Sequence, residues 1–385
     1  MSGSGKDGSK PSGNAGTGLQ KPSQNQRKFM NKSLYFLLTL VLLSLTTTGL
    51  QAGNPDRQGE AGAPELLMNP WARSAGLHSM TTSMVIGVES MMLNIAGLSR
   101  ITKTEVVFGH SQYLKGTGIT TNAFGFAQKI GNNSALGISI MTLDFGEIDR
   151  TTTFAPEGTG STFSPRFVNI GIGFSHNFEN KVSVGVLGRA VSEGVEDVNA
   201  TGICLDAGVQ YVTGERENFK FGISLRNVGG RMQFRGEGLS QTIEIPAFDG
   251  THGLVTNQRS TSFEMQSVLN IGLSYDYYVV GNSRLTFAGN YTSNAFSEDQ
   301  LGGGLEFSYN ELVMLRAGYK LDFGQISNTG SEFNDQPLYT GLSAGATLNV
   351  PTNKKDNAPR IAFDYAYRTT KIYDGTHNLS VRITL

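Results

Sequence analysis

The stretch that decides the fold is the last one, Thr376-His377-Asn378-Leu379-Ser380-Val381-Arg382-Ile383-Thr384-Leu385. Successive side chains of an extended chain point to opposite faces, so His377, Leu379, Val381, Ile383 and Leu385 share one side. Asn378, Ser380, Arg382 and Thr384 share the other. An amphipathic strand at the end of the chain predicts the seam that closes a barrel on its first strand. In an outer-membrane barrel its apolar side meets lipid and its polar side a wet or plugged interior.

Bulk composition agrees with such a wall. Of 385 residues only 16% are charged, below the quarter usual in soluble proteins. Yet the mean hydropathy is −0.19, too low for a bundle of membrane helices. Alternation reconciles the two, because it hides an apolar face in the average. A net charge of −1 gives no basic surface for nucleic acid. One cysteine, Cys204, excludes a disulfide framework and a cysteine-rich metal site.

Leu34–Leu45 is the longest apolar run, about a dozen residues against the roughly 20 that a spanning helix needs. Arg27, Lys28 and Lys32 precede it and Leu50-Gln51-Ala52 follows, the layout of a secretory signal peptide. Residues 1–29 are low-complexity, and Met30 is the expected start. The chain therefore divides into an extension with signal peptide (1–52), a segment without alternation (53–100) and an alternating remainder (101–385). Residues 63–100 mix Met, Leu, Ala and Ser, too apolar to float free and too irregular for wall. They are expected inside the barrel as a hatch, with short helical turns at Leu66, Leu67, Trp71 and Leu77 and with backbone groups satisfied by inward polar side chains.

From Thr104 onward alternation is nearly continuous. Val168, Ile170, Ile172 and Phe174 oppose Asn169, Gly171, Gly173 and Ser175; Leu269, Ile271, Leu273 and Tyr275 oppose Asn270, Gly272 and Ser274. The pattern gives about fourteen strands of roughly ten residues, the length of a tilted membrane strand. Connections near 132, 180, 214, 281, 310 and 354 are short; those at 145–164, 229–260, 293–299 and 322–337 are longer. Short turns on one side and longer loops on the other are the habit of outer-membrane barrels, with the short ones periplasmic. Tyr275, Tyr277, Tyr278, Tyr291, Tyr309, Tyr319, Tyr365 and Tyr367 are expected near strand ends as aromatic girdles. A soluble β-sandwich would need two cores, yet no linker interrupts the strands.

Chemistry is sparse. No two of the five histidines stand at metal-ligand spacing on one element. His110-Ser111 are adjacent on a strand and point apart, so they make no nucleophile–base pair. Gly302-Gly303-Gly304 lacks a following helix and is no phosphate loop. No catalytic residue, cofactor or metal is expected, and no enzymatic activity. Glu147, Asp149, Arg150 and Glu157, in the first long loop, read as a solvated loop face, with a partner site as the alternative. The longest loop carries Gln241–Phe248, either a hairpin folded over the barrel mouth or a contact for an exported partner.

Asn69-Pro70-Trp71-Ala72-Arg73-Ser74-Ala75-Gly76 resembles the "ARAAGMG"-like opening of the PorV/PorQ family. Asn94-Ile95-Ala96-Gly97-Leu98-Ser99-Arg100 resembles its "NPAGLA" segment, with Ile95 in place of Pro, and Val106–Tyr113 its first strand. Glu89–Leu93 replaces the family's "DDASALYW" run. The resemblance makes Pro70, Trp71, Arg73, Gly76, Asn94 and Gly97 the hatch motif. It implies a FadL-like all-β transmembrane barrel of about fourteen antiparallel strands, with an N-terminal hatch, in the outer membrane of Bacteroidetes or relatives. It also implies an adaptor or shuttle in type IX secretion, with outer-membrane lipid, exported cargo and other secretion components as partners. The FadL-like likeness implies as the alternative a channel for hydrophobic small molecules.

Overall fold

The computed structural model describes residues 57, 59–178, 181–248, 250–279, 282–323, 338–353 and 358–385. The expected signal peptide, the start at Met30 and most of the 322–337 loop lie outside these residues. Among the described residues no helix is long and apolar enough to cross a membrane.

The wall consists of fourteen strands: β1 Thr104–Gln112, β2 Thr120–Ile130, β3 Ser134–Asp144, β4 Arg166–Phe178, β5 Val182–Val195, β6 Val198–Thr213, β7 Phe219–Gly229, β8 Val268–Tyr278, β9 Ser283–Asn294, β10 Gln300–Tyr309, β11 Val313–Asp322, β12 Tyr339–Pro351, β13 Arg360–Thr370 and β14 Thr376–Thr384. Each pairs antiparallel with its sequence neighbours. The closing seam joins β14 to β1, with Val106 opposite Ile383 and Phe108 opposite Val381. The cylinder is complete, so no wall strand has a free edge.

Parity holds all the way round. Ile203 is 71% exposed and Leu379 53%, whereas inward Asn378 is 0% and Arg382 6%. This inverts the order of a soluble protein, in which charges face water and aliphatic side chains are covered. A continuous apolar exterior of this size is a surface made for lipid.

Between Asp144 and Arg166, between Gly229 and Val268, and beyond Asn294 and Asp322 the chain leaves the wall at one end, the loop end. The turns at 131–133, 214–218 and 310–312 lie at the opposite end, beside Thr104 and Leu385. Loop lengths alternate less regularly than expected: the connections 113–119, 196–197 and 371–375 also lie at the loop end and are short. Tyr275, Tyr277, Tyr278 and Tyr309 stand near the turn end, while Tyr291, Tyr319 and Tyr367 stand toward the loop end. Tyr365 is the exception, mid-strand opposite Leu379.

Residues 63–101 fill the lumen as short turns, Pro64–Leu67, Ala72–Ala75, Gly87–Glu89, Ser90–Leu93 and Ile95–Arg100. Trp71, Val88, Met91, Leu93, Ile95 and Leu98 pack with inward Val107, Ala127, Ala135, Met141 and Leu187. Irregular backbone in a barrel needs partners, and the wall supplies them. Inward hydroxyls donate to hatch carbonyls from Ser224 to Leu93 at 2.7 Å, Ser175 to Ala96 at 2.8 Å and Ser343 to Gly76 at 3.2 Å. Ser380 Oγ accepts from the Ala72 N–H at 3.0 Å. Gln210 Nε2 donates to both Thr82 O and Val85 O, at 3.1 and 2.9 Å.

Candidate functional site

Close approach decides where the hatch sits. A Cβ on Gly76 would meet Gly345 Cα at 3.0 Å, and one on Gly185 would meet the Ile95 backbone at 2.8 Å. The glycine run of β10 has the same cause: Gly304 faces Leu77, and Gly302 faces Met80. At Gly87 two needs coincide. Its φ is +75°, and a Cβ there would collide with the Glu105 carboxylate, which accepts from the Val88 N–H at 2.7 Å.

The six motif residues are spread through this hatch and do not converge on one site. Pro70 O accepts from Ser111 Oγ at 3.4 Å. Trp71 is buried, and its ring lies against Gly109. Asn94 ties three pieces of chain: Nδ2 donates to Thr82 O at 2.9 Å and to wall Val209 O at 3.1 Å, while Oδ1 accepts from Ala96 N–H at 3.2 Å. Gly97 leaves room for the Val85 carbonyl, and Gly76 for Gly345. Only Arg73 faces open space, where it lines the cavity at the turn end. Ile95, where the family has Pro, rests on Gly173 and Gly185.

The hatch divides the lumen. At the loop end lies a cavity of about 270 Å³, bordered by hatch residues Leu67, Met68, His78 and Met80 and by inward Arg226, Asn270, Lys320, Tyr339 and Arg368. At the turn end lies one of about 350 Å³, lined by Arg73, Arg100, Lys220, Asp276, Arg284 and Glu311. A third and much smaller recess of about 10 Å³, room for about one water, is lined by Arg73, Glu89, Glu306 and Arg316.

Ion pairs line this recess and the turn-end cavity. Glu306 accepts from Arg316 Nε at 2.5 Å and from Arg284 at 3.2 Å, and Asp276 accepts from Lys220 at 2.6 Å. Between adjacent strands elsewhere on the inner wall, Arg189 meets Asp206 at 2.7 Å and Arg382 meets Asp364 at 3.4 Å. In the hatch, burial pushes the Glu89 carboxyl up, against the pull of Arg382. The His78 imidazole is held well below its ordinary range by burial, and then by Lys320 and Arg368 beside it. His78, Arg226, Lys320, Tyr339 and Arg368 were not singled out as site residues from sequence. The signal available was their parity: Arg226 and Arg368 stand on the polar side of their strands.

Known structures repeat this architecture. The Pseudomonas putida toluene transporter TodX superposes on 82% of this chain and 97% of its own, with a TM-score of 0.50 and 14% identity. The fold is that of FadL-like outer-membrane barrels. The Ralstonia pickettii toluene transporter TbuX matches 81% of this chain and 97% of its own, with a TM-score of 0.51 and 13% identity. A Pseudomonas aeruginosa FadL homologue aligns over 81% and 97%, with a TM-score of 0.45 and 10% identity. No protein-family model and no curated protein matches the chain. The PorV/PorQ resemblance therefore rests on the motif residues alone, and this FadL-like barrel shares its fold with two toluene transporters.

Proposed function

We propose that this FadL-like barrel is a passage for small molecules with apolar bodies across the outer membrane, gated by its hatch. The observation that carries this is the divided lumen, with a cavity at each end and the packed hatch between them. An open pore would need no hatch, and a scaffold would need no cavities. The shared fold of the toluene transporters TodX and TbuX supports the same direction. Bilayer lipid is the partner of the outer wall.

The gate is testable at Ser83 and Ser274, whose hydroxyls are 3.0 Å apart between hatch and β8. In a Cys204→Ser background, Ser83→Cys with Ser274→Cys offers a disulfide across this contact. Uptake of radiolabelled toluene into proteoliposomes is expected to fall to that of protein-free vesicles on oxidation and to return on reduction. Equal uptake in both states sinks the gate.

A second reading, the secretion adaptor of a Bacteroidetes-like cell, is favoured by one element. Ser240–Ala247 and Gly250–Asn257 form a hairpin with Ile243, Ile245, Leu254 and Val255 exposed. Residues 241–246 and 250–255 of this hairpin are exposed on both faces. Deleting residues 241–256 is then expected to abolish co-purification of exported proteins from outer membranes while the barrel still folds. Recovery of the barrel alone before deletion removes this reading.

A further inference from the structure

The loop-end cavity carries a charge pattern that a path for hydrocarbons does not need. The inference rests on the passage reading and adds a substrate class to it. Elsewhere in the lumen, inward cations face carboxylates: Arg189 on Asp206, Arg316 on Glu306, Arg382 on Asp364. The loop-end cavity is bordered by Arg226, Lys320 and Arg368, and no aspartate or glutamate is among its described lining residues.

Two of these cations keep a nitrogen without a hydrogen-bond partner among the described residues. Arg368 is 6% exposed and stacks on the Tyr339 ring at 4.8 Å, and its Nε has no hydrogen-bond partner among the described residues. Arg226 gives one N–H to Leu66 O at 3.2 Å, while its Nε is likewise unpartnered. His78 is 3% exposed with neither ring nitrogen hydrogen-bonded. Its ring stands edge-on to Tyr339 at 5.5 Å, which places it beside Arg368. Asp322, two residues along the inward face of β11 from Lys320, borders a smaller adjoining recess and already accepts from Gln300 Nε2 at 3.2 Å. Asp206 attracts Arg226 and Asp322 attracts Lys320, while Arg368 has no ion-pair partner among the described residues. Unpaired charge in a covered site is costly, and an anion arriving from outside offsets that cost.

The rest of the lining describes the anion. Asn270, Asn290 and Thr292 supply neutral hydrogen-bonding groups, and Met68 and Met80 of the hatch supply an apolar wall. About 270 Å³ is below the range of drug-sized pockets, so it suits a single ring or short chain. We propose that this cavity binds a small organic oxyanion, its carboxylate or phosphoryl oxygens held by Lys320, Arg368 and His78 and its apolar part against Met68 and Met80. Cations and imidazole are the groups that make charge-assisted hydrogen bonds to such oxygens.

Benzoate and toluene are nearly equal in shape and differ in charge, so they are the probes, with inorganic phosphate as the third. The full chain is titrated with each in non-ionic detergent by calorimetry. Benzoate is expected to bind more tightly than toluene and to weaken as salt rises, with toluene insensitive to salt. Lys320→Met and Arg368→Met are each expected to weaken benzoate about tenfold, the loss of one charge-assisted contact, and Lys320→Arg to retain it. The salt dependence needs no variant, so it stands even where a methionine substitution fails to fold. Toluene binding without benzoate binding overturns the anion and leaves the passage standing. Phosphate binding alone overturns the organic part, and benzoate binding indifferent to salt and to both variants overturns the site. Failure of the Ser83–Ser274 gate is read in a separate uptake assay, so loss of the passage is distinguished from loss of the anion.

Discussion

At the scale of single residues, the hatch is held by a few side chains and by the absence of others. Asn94 spends both ends of its amide on backbone, joining Ala96, Thr82 and Val209. Gly76 and Gly345 let hatch and wall backbones touch. His78 carries a pH dependence. Its pKa in the folded chain lies well below the unfolded value near 6.5, so the unfolded state binds the extra proton first. Stability from this residue is therefore complete above pH ~6.5 and lost as pH falls toward the folded pKa, by up to ~1.4 kcal/mol per pH unit. Glu89, pushed up by burial, acts in the opposite sense, so the difference between wild type and His78→Gln isolates the imidazole. Hydrogen exchange of the hatch amides at pH 7.5 and 5 is expected to show loosening on acidification in the wild type and less in His78→Gln. Equal loosening in both removes the assignment.

At the scale of elements, strands were plain in the sequence and the hatch was plain only as an exception to them. Each strand repeats the same two-residue period, so β4 and β8 can be bounded from Val168–Phe174 and Leu269–Tyr275 without reference to neighbours. The hatch turns are no longer than six residues and have no period of their own. Their shape follows from Ser224, Ser175, Gln210 and Ser380, which come from distant strands. Trp71 and Gly97 were named through a resemblance, and their packing role was not legible in the sequence. The same holds for the cavity: Lys320 and Arg368 share it only because β11 and β13 flank β12.

At the scale of the whole molecule, the exterior is an apolar cylinder and the interior a polar one plugged by apolar turns. This arrangement is stable only where the outside is not water. Leu205, 62% exposed on the outer face of β6, tests the point. Leu205→Arg is expected to destabilise the barrel by ~2–4 kcal/mol if the position lies near the bilayer midplane. Urea unfolding in phosphatidylcholine vesicles measures it, and an unchanged midpoint would mean that this face does not meet lipid.

The amino-acid order by itself determined the strands, their two faces, the closure of β14 on β1 and the need for the 63–100 segment to be inside. Each of these follows from a local period or from its local absence, and closure follows from giving every strand two neighbours. Only the tertiary structure decided which inward residues meet. The lumen brings Arg226, His78, Lys320 and Arg368, far apart along the chain, to one cavity with no aspartate or glutamate among its described lining residues. Parity tells that a side chain points inward; the radius of the wall and the path of the hatch set what it finds there.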